Sequence, residues 1–185
     1  MINKDNMLGR TLAFIDIETT GLNVLKHEII ELGLALVKVN DQGQFEIKEE
    51  VEWKIQPQRI EDADPEALRV NGYDPAQWMF GVSLPQAMKA LADKTEGAVM
   101  VAHNVGFDYS FIAKAFAETE VENKMFYSNL DTISIAVAKL GNNPSVKRYT
   151  LRSLCEYFGV RNERAHTALA DVRATVEVFQ KLMTL

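Results

Sequence analysis

Phe14-Ile15-Asp16-Ile17-Glu18-Thr19-Thr20-Gly21-Leu22 plants two carboxylates at the end of an apolar run. Leu12 to Ile15 is short, continuous and apolar, which is the pattern of a buried strand. Side chains alternate along a strand, so Asp16 and Glu18 project to one face while Ile15 and Ile17 project to the other. No Lys or Arg occurs in the five residues before Asp16 or the seven after Glu18. Two like charges at a buried strand end are costly unless something cationic joins them, and a hard divalent metal with oxygen ligands meets that need. A D-x-E pair alone is weak evidence. Its weight depends on further carboxylates downstream.

They are present. His103-Asn104-Val105-Gly106-Phe107-Asp108 follows a second apolar run, Ala98 to Ala102, and His166-Thr167-Ala168-Leu169-Ala170-Asp171 opens the predicted last helix. Asp16, Glu18, Asp108 and Asp171, with His166 five residues before the last, resemble in order and spacing the DnaQ-like (DEDDh) 3′–5′ exonucleases, over a span from about Leu12 to Phe179. Pro65 to Pro75 and Met100-Val101-Ala102-His103-Asn104 are similar to ribonuclease T-like members of that family. The resemblance implies an α/β, ribonuclease H-like fold with a mixed five-stranded sheet flanked by helices. It implies two Mg²⁺ ions, replaceable by Mn²⁺, with Asp16 between them, Glu18 and Asp171 completing one site, and Asp108 helping to hold the other. His166 would be the general base, and single-stranded DNA or RNA would be hydrolysed from its 3′ end to nucleoside 5′-monophosphates.

Further site residues follow from the same resemblance. The loop Thr19-Thr20-Gly21-Leu22 would hold the terminal nucleotide, with Leu22 wedged against its base and Phe107 packed nearby. His103 and Asn104 would lie near the site, and Glu66 keeps the family's acid at its position, either as a base contact or as an exposed helix acid. The chain departs from ribonuclease T-like members at Leu22, Val70 and Leu130, where those carry aromatic residues, so base stacking at these positions is lost. Relatives of this type act as dimers, and Trp78-Met79-Phe80 places three large apolar side chains in a row that cannot all face one core. A homodimer is therefore expected, the alternative being that the triplet covers the edge of the monomer's own sheet. A proofreading subunit of a DNA polymerase is the rival reading, disfavoured because Leu185 directly follows the last helix and leaves no tether.

Composition sets outer bounds. The 185 residues suit a single domain, residues 1–185, and the 47% hydrophobic and 25% charged content is that of a globular protein. No run approaches the roughly 20 apolar residues of a membrane helix, and the first six residues lack a signal-peptide core, so a cytoplasmic protein without membrane contact is expected. The net charge of −6 looks wrong for a nucleic-acid binder, yet setting aside the four site carboxylates leaves −2.

Strands are expected at 11–17, 28–38, 45–55 and 98–103, with a fifth at Leu130-Asp131-Thr132 and a turn at Asp41-Gln42-Gly43. Asp64-Pro65 should start a short helix and Ser83 with Gln86 a longer one; others are expected from about Phe107 to Ala117 and along the stripe Leu169, Val172, Val176, Phe179 and Met183. Several polar residues have plainer readings. Asp131 at a strand-to-helix junction reads as a helix cap, His27 as solvated in a polar turn, His103 as a structural hydrogen-bonder, and Cys155 as core packing. Lys147, Arg148 and Arg152 form a small basic cluster, read as a solvated face with a phosphate contact as the alternative.

Overall fold

The computed structural model describes residues 9–40, 42–162 and 167–185. Five strands form one sheet in the order β3-β2-β1-β4-β5, from β1 (Leu12–Thr19), β2 (Ile29–Val39), β3 (Phe45–Lys54), β4 (Val99–Ala102) and β5 (Leu130–Asp131). The first three pair antiparallel, and β4 and β5 run parallel to β1. Seven α-helices are described: α1 (Pro65–Val70), α2 (Pro75–Trp78), α3 (Leu84–Lys94), α4 (Val105–Thr119), α5 (Thr132–Leu140), α6 (Leu151–Phe158) and α7 (Ala168–Met183). This is the mixed, helix-flanked sheet expected of a ribonuclease H-like fold. Of the expected Asp41-Gln42-Gly43 turn, Asp41 lies outside the described residues.

Strand parity builds the two faces. Ala13, Ile15 and Ile17 join Leu32, Leu34, Met100 and Ala102 in a core sealed by α3 and α4, through Met88, Leu91, Phe111, Ile112 and Phe116. Leu12 and Phe14 point the other way, onto Val172, Val176 and Phe179 of α7. Phe179 meets Phe14 and Phe45 edge to face, with ring centroids 5.3 and 5.5 Å apart, a favoured aromatic geometry. Behind α7, α5 and α6 add an outer layer through Ala136, Leu140, Leu154 and the buried Cys155. The packing role expected for Cys155 is observed, and burial pushes its thiol up to about 11.

Local signals act where expected. Asp64 accepts a hydrogen bond from the Glu66 amide at the start of α1, and the Ser83 amide donates to Gln86 Oε1 at 2.9 Å at the start of α3. Asp131 caps α5, accepting from the Ile133 and Ser134 amides, and it also accepts from the Asn104 and Val105 amides. β1 runs two residues past its expected end because β2 keeps pairing with it, Asp16 opposite Gly33 and Glu18 opposite Glu31. Both carboxylates therefore sit within the central strand. α4 begins at Val105, earlier than expected, because Asn104 takes a left-handed conformation (φ 72°) that turns the chain straight from β4 into the helix. Among the described residues no helix is long and apolar enough to cross a membrane.

Candidate active site

Asp16 and Glu18 share the α7 face of β1, and Asp171 lies in the first turn of α7 above them. One carboxylate oxygen from each lies within 4.8 Å of the others. Two features of β2 let α7 come this close. Gly33, opposite Asp16, faces the start of the helix, where a Cβ would stand 2.6 Å from the Ala168 carbonyl carbon. Glu31, opposite Glu18 and almost fully buried, accepts the Ala168 amide at 2.8 Å. The first amides of a helix have no partner within it and favour a negative charge, so Glu31 seats α7 on the sheet. Lys54 balances Glu31 at 3.0 Å and stacks over the Trp78 ring, 3.7 Å from its centroid. Asn162 Nδ2 donates to Asp171 Oδ1 at 2.5 Å.

Asp108 arrives from the opposite face. β4 pairs with β1 only over Leu12–Phe14, so farther along β1 that edge has no strand partner. The Ile17 amide donates instead to Asp108 Oδ1 at 3.2 Å, which fixes this buried carboxylate at the strand edge. Asp108 is not one of the three groups within 4.8 Å, but its charge acts strongly on Asp16.

The electrostatics follow from crowding acids in a half-dry place. Burial, then Asp171 and Glu31, pushes the Glu18 carboxyl up to about 8. Burial pushes Asp108 up to about 8, against the hydrogen bond from Ile17 that favours its charged form. Burial together with Asp108, Asp171 and Glu18 holds Asp16 well above the usual carboxylate range. Among the described residues no Lys or Arg pairs with Asp16, Glu18 or Asp108. Hard oxygen donors repelling one another suit a divalent cation, which would return them to their charged forms.

Beside the carboxylates opens a cleft of about 320 Å³ lined by Glu18, Thr19, Leu22, Glu66, Val70 and Phe107 among others. Leu22 projects into solvent at its mouth, 81% exposed. Hydrogen bonds pin the loop behind it. Thr19 Oγ1 donates to the Gly21 carbonyl, Thr20 Oγ1 accepts from the Glu28 amide, and Asn71 Nδ2 holds the Thr19 carbonyl at 3.0 Å. Gly21 takes a positive φ of 154°, and a Cβ there would lie 2.3 Å from the His27 ring. His27 is therefore no solvated turn residue, as its polar neighbours suggested. It is buried, its Nδ1 accepts from the Asn23 amide at 3.0 Å, and it supports the loop from beneath.

Other expected site residues lie in different settings. Glu66 pairs with Arg69 at the surface of α1 while lining the cleft. His103 and Asn104 do not line it; His103 Nδ1 bonds Thr132 Oγ1 at 2.8 Å, the structural bond expected, and Asn104 engages Asp131 through its backbone. Leu130 packs against the α7-side core, whereas Leu22 and Val70 border the cleft. His166 lies outside the described residues. Sequence reasoning missed Glu31, Gly33 and Asn162. An acid and a glycine of the same parity in the apolar run Ile29 to Leu36 were a usable signal for the first two; nothing local marks Asn162.

Acidic side chains thus gather on and above the central strand of a ribonuclease H-like sheet, close enough to one another to hold a metal ion. The RNase_T family model, described as an exonuclease, matches residues 13–179, and the chain belongs to that family and is an exonuclease. Ribonuclease T of Shewanella denitrificans is 31% identical over 179 residues, covering 89% of this chain and 76% of that protein. A structure of exonuclease I superposes with a TM-score of 0.79 at 18% identity, covering 95% of this chain and 41% of that one. The E. coli exonuclease I complex with a dT13 oligonucleotide gives 0.77 at 18% identity, over 95% and 41% of the two chains. The chain thus spans about two fifths of the length of exonuclease I, and that likeness concerns the fold.

Proposed function

We propose that residues 1–185 form one exonuclease unit that removes nucleotides from the 3′ end of single-stranded DNA or RNA. The observation that carries this reading is the meeting of Asp16, Glu18 and Asp171 oxygens within 4.8 Å beside a cleft sized for one splayed nucleotide. The relatives' names and the oligonucleotide bound to E. coli exonuclease I support the substrate class.

Asp16, Glu18 and Asp171 would hold divalent metal, with Asp108 contributing from the strand edge; two Mg²⁺ ions, with Mn²⁺ as substitute, match four carboxylates in charge. When bound, such ions supply an acidified water and neutralise charge on the reacting phosphate. The chain's own residues do the rest. The Thr19–Leu22 loop and Phe107 receive the terminal nucleotide, and Leu22 presses on its base. Glu66 offers an acceptor at the cleft rim. His166, by its place five residues before Asp171, takes the proton of the attacking water.

Chelator and Asp16→Ala together test the proposal on a 3′-labelled single strand. Both should abolish release of nucleoside 5′-monophosphates while the mutant stays folded. Undiminished hydrolysis in excess chelator, or efficient cleavage of a circular single strand, refutes it.

A further inference from the structure

A second opening lies on the Asp171 side of the carboxylates. It has a volume of about 440 Å³ and is lined by Asp171 and Asn162 with Arg152, Cys155 and Glu156. Glu156 also lines a neighbouring groove of about 340 Å³ walled by Lys147, Arg148, Ser153 and Tyr157. The two adjoin across α6 and lead from Asp171 to the loop before that helix.

The charge of this stretch is unlike that of the rest of the chain. Between Asp131 and Glu156 lie 24 residues with no Asp or Glu, in a protein that carries 26 of them, and with four cations: Lys139, Lys147, Arg148 and Arg152. Elsewhere most cations are tied to an acid across the surface. Lys147 and Arg148 are exposed and have no ion pair among the described residues; Arg152 has only its helical neighbour Glu156, at 3.1 Å. Tyr157 stands in the same groove. Its hydroxyl accepts from Asn143 Nδ2 at 2.8 Å and its ring meets Phe158 edge to face at 4.9 Å, so its orientation is fixed while 39% remains exposed.

Unpaired cations beside a fixed aromatic ring are the chemistry that grips single-stranded nucleic acid: cations take the phosphates and the ring stacks a base. Position gives the direction. If the terminal nucleotide fills the cleft beside Glu18, the strand leading to it leaves on the far side of the carboxylates, where Asp171 opens toward α6. Resting on the exonuclease reading, we propose that the α6 groove is the track for the substrate strand upstream of the scissile bond. Lys147 and Arg148 hold its backbone, and Tyr157 stacks one of its bases. A thymidine dinucleotide joined by one phosphate carries only the scissile one, so it offers these cations no upstream backbone to hold.

The test compares a thymidine dinucleotide with an oligothymidylate of about twelve nucleotides, a length within the usual single-strand site range. Lys147→Ala/Arg148→Ala should raise KM for the longer strand on the order of tenfold, leave kcat unchanged, and leave dinucleotide hydrolysis as in wild type. The slope of log affinity against log salt should fall by about 1.4, the worth of two single-strand phosphate contacts. Tyr157→Leu should raise the same KM and leave that slope alone. Lys147→Arg/Arg148→Lys should behave as wild type. A double variant that handles the long strand as well as wild type does overturns the track alone, and would fit cations serving an acidic peptide instead. Equal losses on both substrates also overturn it, since they mean damage at the centre. Wild-type protein that cleaves neither substrate overturns the exonuclease reading, and the track with it.

Discussion

Gly33→Ala tests whether the approach of α7 to the sheet sets the geometry of the carboxylates. The added methyl would point at the helix start, 2.6 Å from the Ala168 carbonyl carbon and 2.7 Å from its oxygen. Ordinary contact begins near 3.4 Å, and the obstacle is backbone, so the start of α7 must retreat by about 0.8 Å. Asp171 sits three residues farther along the same turn and moves with it, out of a cluster whose oxygens span 4.8 Å or less. Over-packing of this kind costs about 1–3 kcal/mol of stability, and a misplacement near 1 Å can cost about 10²-fold in rate. Turnover of a labelled single strand at saturating Mg²⁺, read beside the thermal midpoint, should show both effects. The loss in rate should exceed what partial unfolding explains at the assay temperature. Full activity with an unchanged midpoint would refute the argument that Gly33 is the spacer.

The metal-free protein should lose stability as pH rises. Glu18 and Asp108 keep protons up to about 8 in the folded state but release them near 4.5 and 3.8 when unfolded, so the penalty is absent below pH 4, grows to pH 8 and is then constant. A midpoint that instead rises over this window, by calorimetry in chelator, contradicts the crowding. Asp16→Ala relieves the same repulsion and should raise the metal-free midpoint at pH 8; a lower midpoint there counts against it. His166→Ala should cut single-turnover rates by roughly 10²–10⁴-fold at unchanged stability, whereas His27→Ala should cost about 1–2 kcal/mol and loosen the Thr19–Leu22 loop; identical behaviour of the two rejects the base assignment. Met79 and Phe80, 61% and 85% exposed, leave the proposed homodimer an apolar surface, and light scattering at micromolar protein should give a mass above the 20.8 kDa of one chain.

What could be read from the sequence, and what could not, divides along the range of the interactions. Asp16 and Glu18 were legible because strand parity is a local rule, and parity alone also separates Ile15 and Ile17 into the opposite core. Asp131 was legible as a cap for the same reason. Asp108 and Asp171 needed the family pattern, since nothing in their own neighbourhoods says that one seats on the free edge of β1 and the other above its face. His27 was misread because polar neighbours predict solvent, while the decisive fact is a glycine six residues earlier whose missing Cβ leaves room for the ring. Trp78 shows a similar split: the apolar triplet is not one surface, because the indole turns inward to donate to the Ile30 carbonyl at 2.6 Å and Met79 and Phe80 remain outside. Glu31 is the most instructive omission. A lone acid in an apolar strand looks like a cost, and it is tolerated because three groups far apart in sequence converge on it: the Lys54 ammonium, the Ala168 amide and, through that ammonium, the Trp78 ring. Its charge also faces Asp16 and Glu18 and raises both. The residue that seats the last helix thus adds to the repulsion that a metal would relieve. Exchange to Gln, which keeps an acceptor for Ala168 and drops the charge, separates those two effects.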